Sequence, residues 1–193
     1  MLNSLLAVNR RLIRKMFKKP LLLILLIFSF SQAFSQTDLS RAGDGLQIAL
    51  PIAAFATTLY FKDKEGEKEF IESFLISVAL THILKYSCQN TAWGTRPNGG
   101  SCSFPSGHTA SAFQGAFFLQ KRYGWDYGMV PIALAAFTGY TRVEGQYHHW
   151  RDVAGGAILS YLVTCLFVTK YCPVETHVCY SREGGFLGIQ KLF

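Results

Sequence analysis

The sequence contains little charge for its length. Only 16% of its 193 residues are charged, whereas half are hydrophobic, which is an apolar composition for a soluble domain of this size. Internal repeats, low-complexity tracts and long linkers are also missing from the sequence, so a second folded domain is not indicated. These absences predict one domain, and the apolar composition favours a membrane-embedded one.

A long apolar run is lacking at the N-terminus as well. Arg and Lys residues between positions 10 and 19 are followed by an apolar run from Leu21 to Phe30 and by small residues that end near Ser35. A membrane span needs roughly 20 residues, so this shorter run is typical of a cleaved signal peptide. We therefore interpret residues 1–35 as a signal peptide, with a retained first transmembrane segment as the alternative.

Five apolar segments follow, and the charges between them predict an orientation. The segments span about residues 46–61, 70–86, 109–119, 128–140 and 153–171. Lys and Arg in the breaks at 62–68 and 121–122, together with Lys170, mark a cytoplasmic side, so the breaks at 87–108 and 141–152 are expected to face outward. This placement of the basic residues fits membrane orientation better than nucleic-acid binding, although the net charge is +7.

The predicted fold class is therefore all-α, a polytopic membrane helical bundle. It has five transmembrane helices after the signal peptide, or six if the N-terminal segment is retained. Residues 36–193 form a single membrane-embedded domain with a short cytoplasmic tail from about residue 172. A soluble helical core is the alternative, since apolar stretches of 10 to 14 residues also occur in buried soluble helices.

Three short stretches in the outward breaks combine residues that suit phosphate-ester chemistry. They supply imidazoles, a carboxylate and permanent cations: Lys85 and Arg96, then Ser106, Gly107 and His108, then Arg142, His148 and Asp152. Because Asp152 follows His148 by four residues, a helix beginning there would place the carboxylate one turn from the imidazole. Phosphoryl transfer depends on positioning and on charge stabilisation around a nucleophile. The grouping therefore predicts a phosphate-ester site.

These stretches resemble the signature of the type 2 phosphatidic acid phosphatase superfamily, which includes the vanadium haloperoxidases. Pro105 to His108 matches the Pro-Ser-Gly-His core, and the stretch from Thr141 to Asp152 reproduces the third segment, with threonine where serine is usual. The first segment departs from the pattern, because ten residues separate Lys85 from Arg96 where the family usually has six. The resemblance implies a membrane lipid phosphatase that works through a phosphohistidine.

We expect His148 to attack phosphorus through one ring nitrogen while Asp152 holds the other. His108 is expected to protonate the leaving oxygen and then to activate water. The expected phosphate-binding residues are Lys85, Arg96, Ser106, Gly107 and Arg142. The scheme needs no metal ion and no other cofactor. A zinc site built from His108, His148 and Asp152 is the rival, but two neighbouring arginines would repel a cation.

Two cysteines, Cys88 and Cys102, lie in the same predicted outward loop, where an oxidising compartment would permit a disulfide bond. The bond would close a loop of about 15 residues and contribute about 3 kcal/mol in the chain-entropy model. It would also brace Arg96 against the site. Two free thiols are the alternative.

The predicted function is hydrolysis of a lipid phosphomonoester or pyrophosphate by a metal-independent phosphatase at the periplasmic face of a bacterial inner membrane. The predicted partners are a phosphorylated lipid and the membrane, and not a nucleic acid. Three alternatives remain: a lipid phosphotransferase that uses the same histidine, a non-catalytic protein that binds lipid head groups, and a haloperoxidase. The sequence indicates neither a particular lipid nor an oligomeric state.

Overall fold

Five helices make up most of the part of the chain that the structure describes, with one long connection between the second and the third. The computed structural model describes residues 36–172, 174–181 and 184–191. The helices are α1 (Gln36–Tyr60), α2 (Lys64–Cys88), α3 (Gly107–Tyr123), α4 (Trp125–Glu144) and α5 (Trp150–Phe167). Strands β1 (Val174–Ser181) and β2 (Gly184–Lys191) follow as an antiparallel pair.

Helix α3 lies at the centre of the bundle and packs against each of the other four helices. Its inner positions are small: Ala112 and Ala116 are fully buried and pack against Leu50 of α1 and Ala135 of α4. A Cβ atom at Gly115 would lie 2.8 Å from the carbonyl oxygen of Leu50, so glycine is needed for this approach of α1 to α3. The small residues therefore bring α1 close to the centre.

A buried ion-pair network closes the end of the bundle where α2 begins and α3 ends. The Arg122 side chain is only 3% exposed and donates to both carboxylate oxygens of Asp63, at 2.7 and 2.6 Å, and to Glu69 at 2.9 Å. It also donates to the Thr169 hydroxyl after α5. Burial is the largest single influence on Asp63 and works to raise its pKa, but the hydrogen bonds from Arg122, Gly66 and Tyr123 together with the charge of Arg122 outweigh it and hold that pKa below its usual value. The network joins three separate segments at this end.

The helical core predicted from the sequence is confirmed, because each of the five apolar segments falls on one of the five helices, although the last predicted segment runs past the end of α5. The antiparallel strands depart from the all-α prediction and occupy the region that we expected to be a cytoplasmic tail. Among the described residues, every helix falls short of the combined length and hydropathy that a membrane crossing requires. The signal peptide or first span predicted for residues 1–35 lies outside the described residues.

Candidate active site

The three sequence stretches meet at one end of the bundle, opposite the Arg122 network. They line a single cavity of about 410 Å³. The predicted residues on its wall are Lys85, Arg96, Gly107, His108, Arg142 and His148. They come from five parts of the fold: the end of α2, the connection before α3, the first turn of α3, the end of α4 and the turn before α5. The cavity therefore gathers two imidazoles and three cationic side chains.

Direct contact between the second and third stretches brings the two histidines together. The backbone N–H of Ser106 donates to the carbonyl oxygen of Asp152 at 3.0 Å. A Cβ atom at Gly156 would lie 2.7 Å from the Ser106 carbonyl oxygen, so glycine at this position lets α5 approach the start of α3. Ser106 then caps α3, since its hydroxyl accepts from the backbone N–H of Thr109.

His148 is buried beside Asp152, with its side chain only 4% exposed. The distance from its Nδ1 to Asp152 Oδ2 is 3.6 Å, which is longer than a hydrogen bond. Asp152 Oδ2 instead accepts from the Ser103 hydroxyl at 2.5 Å and from the backbone N–H of His149 at 2.9 Å. His148 Nδ1 and Asp152 Oδ1 are both buried without a hydrogen-bond partner in the described part of the chain. Asp152 therefore both caps α5 and faces the imidazole.

Burial and charge keep the His148 imidazole neutral. Burial, followed by the positive charges of Lys85 and Arg96, lowers the pKa of His148 to about 4, against the opposing influence of Asp152. The ring therefore retains a lone pair at neutral pH, as a nucleophile requires. The pKa of His108 is also lowered, by burial and by Arg142.

Lys85 reaches the cavity despite its unusual spacing from Arg96. Its Nζ donates to the carbonyl oxygens of Cys102 at 2.8 Å and Pro105 at 3.0 Å, so it also braces the connection that leads into α3. Arg96 lies on the same wall, and its buried Nε has no hydrogen-bond partner among the described residues. Ser106, by contrast, is fully buried as a helix cap, so its predicted contact with phosphate stays a prediction.

Helix α1 contributes residues that sequence reasoning missed. Arg142 donates to Asp44 at 2.7 Å and to the backbone oxygen of Ser40, and its guanidinium lies 5.5 Å from the ring centre of Tyr147. Asp44 also lies 3.0 Å from Nε2 of His108. Ser40, Asp44 and Tyr147 all line the cavity. The sequence feature that could have indicated Asp44 is its position as an acidic residue just before the apolar segment that begins at about residue 46.

The disulfide bond predicted between Cys88 and Cys102 is not formed, and both residues are free thiols. The Cys102 thiol lies 3.6 Å from the side-chain oxygen of Gln89, to which it donates a weak hydrogen bond. Sharing a loop was therefore not sufficient to pair the two cysteines. The connection before α3 is instead held to the end of α2 by the hydrogen bonds from Lys85 to Cys102 and Pro105.

A helical bundle that gathers two histidines and several cations around one cavity is suited to holding a phosphate group. Comparison with known proteins identifies the class. The family model of the PAP2 superfamily matches residues 67–172. The chain belongs to this superfamily, which confirms the resemblance found in its motifs.

Individual relatives agree with this assignment. The chain is 30% identical to the lipid A 4'-phosphatase of Helicobacter pylori, in an alignment that covers 79% of this chain and 81% of that protein. It is 35% identical to lipid phosphate phosphatase 2 of Arabidopsis thaliana over 70% of its own length, but spans only 52% of that relative. The crystal structure of Aquifex aeolicus LpxE has the same fold, with a TM-score of 0.58, 22% identity and coverage of 76% of this chain and 92% of that one. The phosphatase class predicted from the sequence agrees with the names of these relatives.

Proposed function

We propose that this chain is a lipid phosphatase that transfers a phosphoryl group from a lipid to His148 and then to water. The observation that carries the proposal is the neutral, buried imidazole of His148, which shares one cavity with His108 and with the side chains of Lys85, Arg96 and Arg142. A nucleophile, an acid and several cations are the groups that this reaction uses.

The reaction proceeds in two steps. In the first, the Nε2 lone pair of His148 attacks phosphorus, because Nδ1 faces Asp152. The bond from phosphorus to the lipid oxygen breaks, its electron pair stays on that oxygen, and His108 supplies the proton. In the second, His108 takes a proton from water, the water oxygen attacks phosphorus, and the phosphorus–nitrogen bond breaks. Inorganic phosphate leaves and both histidines return to their starting states.

The substrate class is a phosphorylated lipid. The relatives are named as phosphatases of lipid A and of lipid phosphates, and the chain has a surface that suits such substrates. Large apolar side chains are exposed on the outer faces of three helices, among them Ile52 on α1, Leu75 on α2 and Leu166 on α5. Exposed apolar surface of this kind marks a site of contact with lipid or with another protein.

The proposal includes a location in a bacterial inner membrane, with the cavity at the periplasmic face. It is supported by the position of the basic break at Lys62, Lys64 and Lys68, where α2 begins, and of the cavity, where α2 ends. A helix of this length separates its ends by roughly 35 Å, since each residue adds about 1.5 Å. The basic break and the cavity therefore lie at opposite ends of α2, and the orientation rule for basic loops would place the break in the cytoplasm.

The free thiols make this orientation testable. A membrane-impermeant maleimide is expected to label Cys88 and Cys102 in intact cells that produce the protein, because both belong to the cavity end of the bundle and neither is fully buried. Peptide mass spectrometry measures the labelling. Labelling that requires cell lysis contradicts the outward orientation, and a linked pair of peptides in unreduced, denatured protein contradicts the free thiols.

The activity is tested with purified protein in detergent micelles and a panel of phosphorylated lipids that includes phosphatidic acid and diacylglycerol pyrophosphate. We expect release of inorganic phosphate from at least one lipid, with the rate unchanged by a chelator, because histidine and the cationic side chains supply the chemistry. Appearance of the phosphoryl group on a second lipid instead of in water indicates the phosphotransferase. Activity that is abolished by the chelator and restored by zinc contradicts the phosphohistidine scheme.

A further inference from the structure

Asp44 of α1 contacts two residues that have different roles in the proposed reaction. Its Oδ1 atom lies 2.7 Å from a terminal nitrogen of Arg142 and 3.0 Å from Nε2 of His108. One carboxylate oxygen therefore contacts both a phosphate-binding cation and the proposed acid. Asp44 stands outside all three sequence motifs, which begin at Lys85.

His108 stands in a strongly cationic environment. Lys85 from α2, Arg142 from α4 and the imidazole of His148 before α5 line the same cavity, as does Arg96. Burial comes first among the influences that lower the pKa of His108, and the charges of Arg142 and Lys85 act in the same direction. The opposing influence comes from Asp44, through its charge and its hydrogen bond. A general acid must hold its proton at the working pH, so a carboxylate contact serves this histidine directly.

The approach of α1 to α4 that places Asp44 there is built into the packing. A Cβ atom at Gly43 would overlap the hydroxyl of Thr141 and lie 2.7 Å from a terminal nitrogen of Arg142. Only glycine permits this separation between the helices. One turn earlier, Ser40 accepts from the same guanidinium with its backbone oxygen. Two successive turns of α1 are therefore anchored on Arg142.

We propose that Asp44 is a positioning residue for the acid step, whose carboxylate orients the His108 imidazole and opposes the loss of its proton before the lipid oxygen leaves. This inference rests on the function proposed above. His108 keeps its Nε2–H bonded to Asp44 and gives the proton on Nδ1 to the leaving oxygen as the phosphorus–oxygen bond breaks. Nδ1 then recovers a proton from water in the second step, and Asp44 stays a carboxylate throughout. Asp44 would therefore support His108 in the way that Asp152 is proposed to support His148, which lines the same cavity.

The test compares two substrates with different leaving groups in the Asp44→Asn variant. Phosphatidic acid and diacylglycerol pyrophosphate with the same acyl chains share a tail, but the first expels an alkoxide, which needs a proton, and the second expels a much less basic phosphate. We expect kcat for phosphatidic acid to fall about 100-fold and kcat for the pyrophosphate to stay within about threefold of wild type. Retained activity on the pyrophosphate also shows that the variant is folded.

Two further variants and a pH profile sharpen the test. Asp44→Glu keeps the carboxylate and is expected to restore a large part of the lost rate. Asp38→Asn is the matched control, because Asp38 lies on the same helix with its side chain 50% exposed, against 51% for Asp44, and pairs with Arg41. This control is expected to change neither rate.

In Asp44→Asn, the alkaline limb of the pH profile of kcat on phosphatidic acid is expected to move to lower pH, since His108 then loses its proton more readily.

Other results overturn the inference. An equal loss on both lipids shows that Asp44 acts through Arg142 and phosphate binding and not through the acid. A gain on both lipids shows that its carboxylate competes with the phosphate group. If the wild-type protein releases phosphate from none of the lipids in the panel, the proposed function itself fails, and that outcome is distinguishable because it appears before any variant is made.

Discussion

Replacement of His148 by alanine is expected to lower kcat on lipid phosphates by about 10⁴-fold or more, the scale of loss seen when a covalent nucleophile is removed. The physical reason is that the neutral imidazole supplies the lone pair that bonds to phosphorus. Phosphate release measures the rate. Rapid quenching with a radiolabelled lipid measures the intermediate: wild-type protein is expected to retain acid-labile phosphate, and the variant is expected to retain none.

His149→Ala is the matched control for this variant. His149 is the adjacent residue, and its side chain is 39% exposed. Alanine preserves the hydrogen bond from its backbone N–H to Asp152 and removes only the contact of its Nδ1 with Asp152 Oδ2, which is 3.5 Å long. Its kcat is expected to stay within about threefold of wild type. If His148→Ala turns over lipid phosphates as well as this control does, His148 is not the nucleophile and the phosphohistidine scheme is wrong.

Replacement of Arg122 by alanine is expected to lower the free energy of unfolding by about 3–5 kcal/mol, the cost of breaking a buried ion pair from one side. The change would leave the Asp63 carboxylate, only 4% exposed, without its charged partner, and would also release Glu69 and Thr169. Denaturant unfolding in detergent, followed by circular dichroism, measures the effect.

The neighbouring Lys121 provides the control, because its side chain is exposed and lies on the same turn. Lys121→Ala is expected to change the unfolding free energy by less than about 0.5 kcal/mol. The Arg122 variant is also expected to keep its kcat where it remains folded, since α3 separates Arg122 from His108 by roughly 20 Å at about 1.5 Å per residue. Equal stability of the two variants contradicts a stabilising role for the network.

The helices and the motif residues were predictable because their signals are local. Apolar segments bounded by charged or glycine-containing breaks indicated each helix, and the four-residue spacing of His148 and Asp152 predicted their proximity. Arg122 shows the limit of such reasoning. The sequence indicated only that it belongs to the basic residues that mark the cytoplasmic side, but it is buried, because Asp63, which lies 59 residues earlier, meets it in the folded chain.

Asp44 and the cysteines show the same limit at the site itself. Asp44 meets Arg142 across a separation of 98 residues, and no spacing rule connects an acidic residue before one apolar segment to a cation after another. The two cysteines do share a loop, but the direction of each thiol depends on the backbone between them. At Cys102 the backbone has φ of 59°, and the thiol contacts Gln89 rather than Cys88.

The amino-acid sequence by itself determined which chemical groups this protein has for phosphoryl transfer and which stretches of the chain form helices, although not the helix ends, because side-chain type and apolar segments are properties of short stretches. Only the tertiary structure decided which groups surround one cavity and which charge each histidine faces. That outcome depends on close helix contacts, such as Gly43 against Thr141 and Gly156 against Ser106, where the absence of one carbon atom lets distant segments touch.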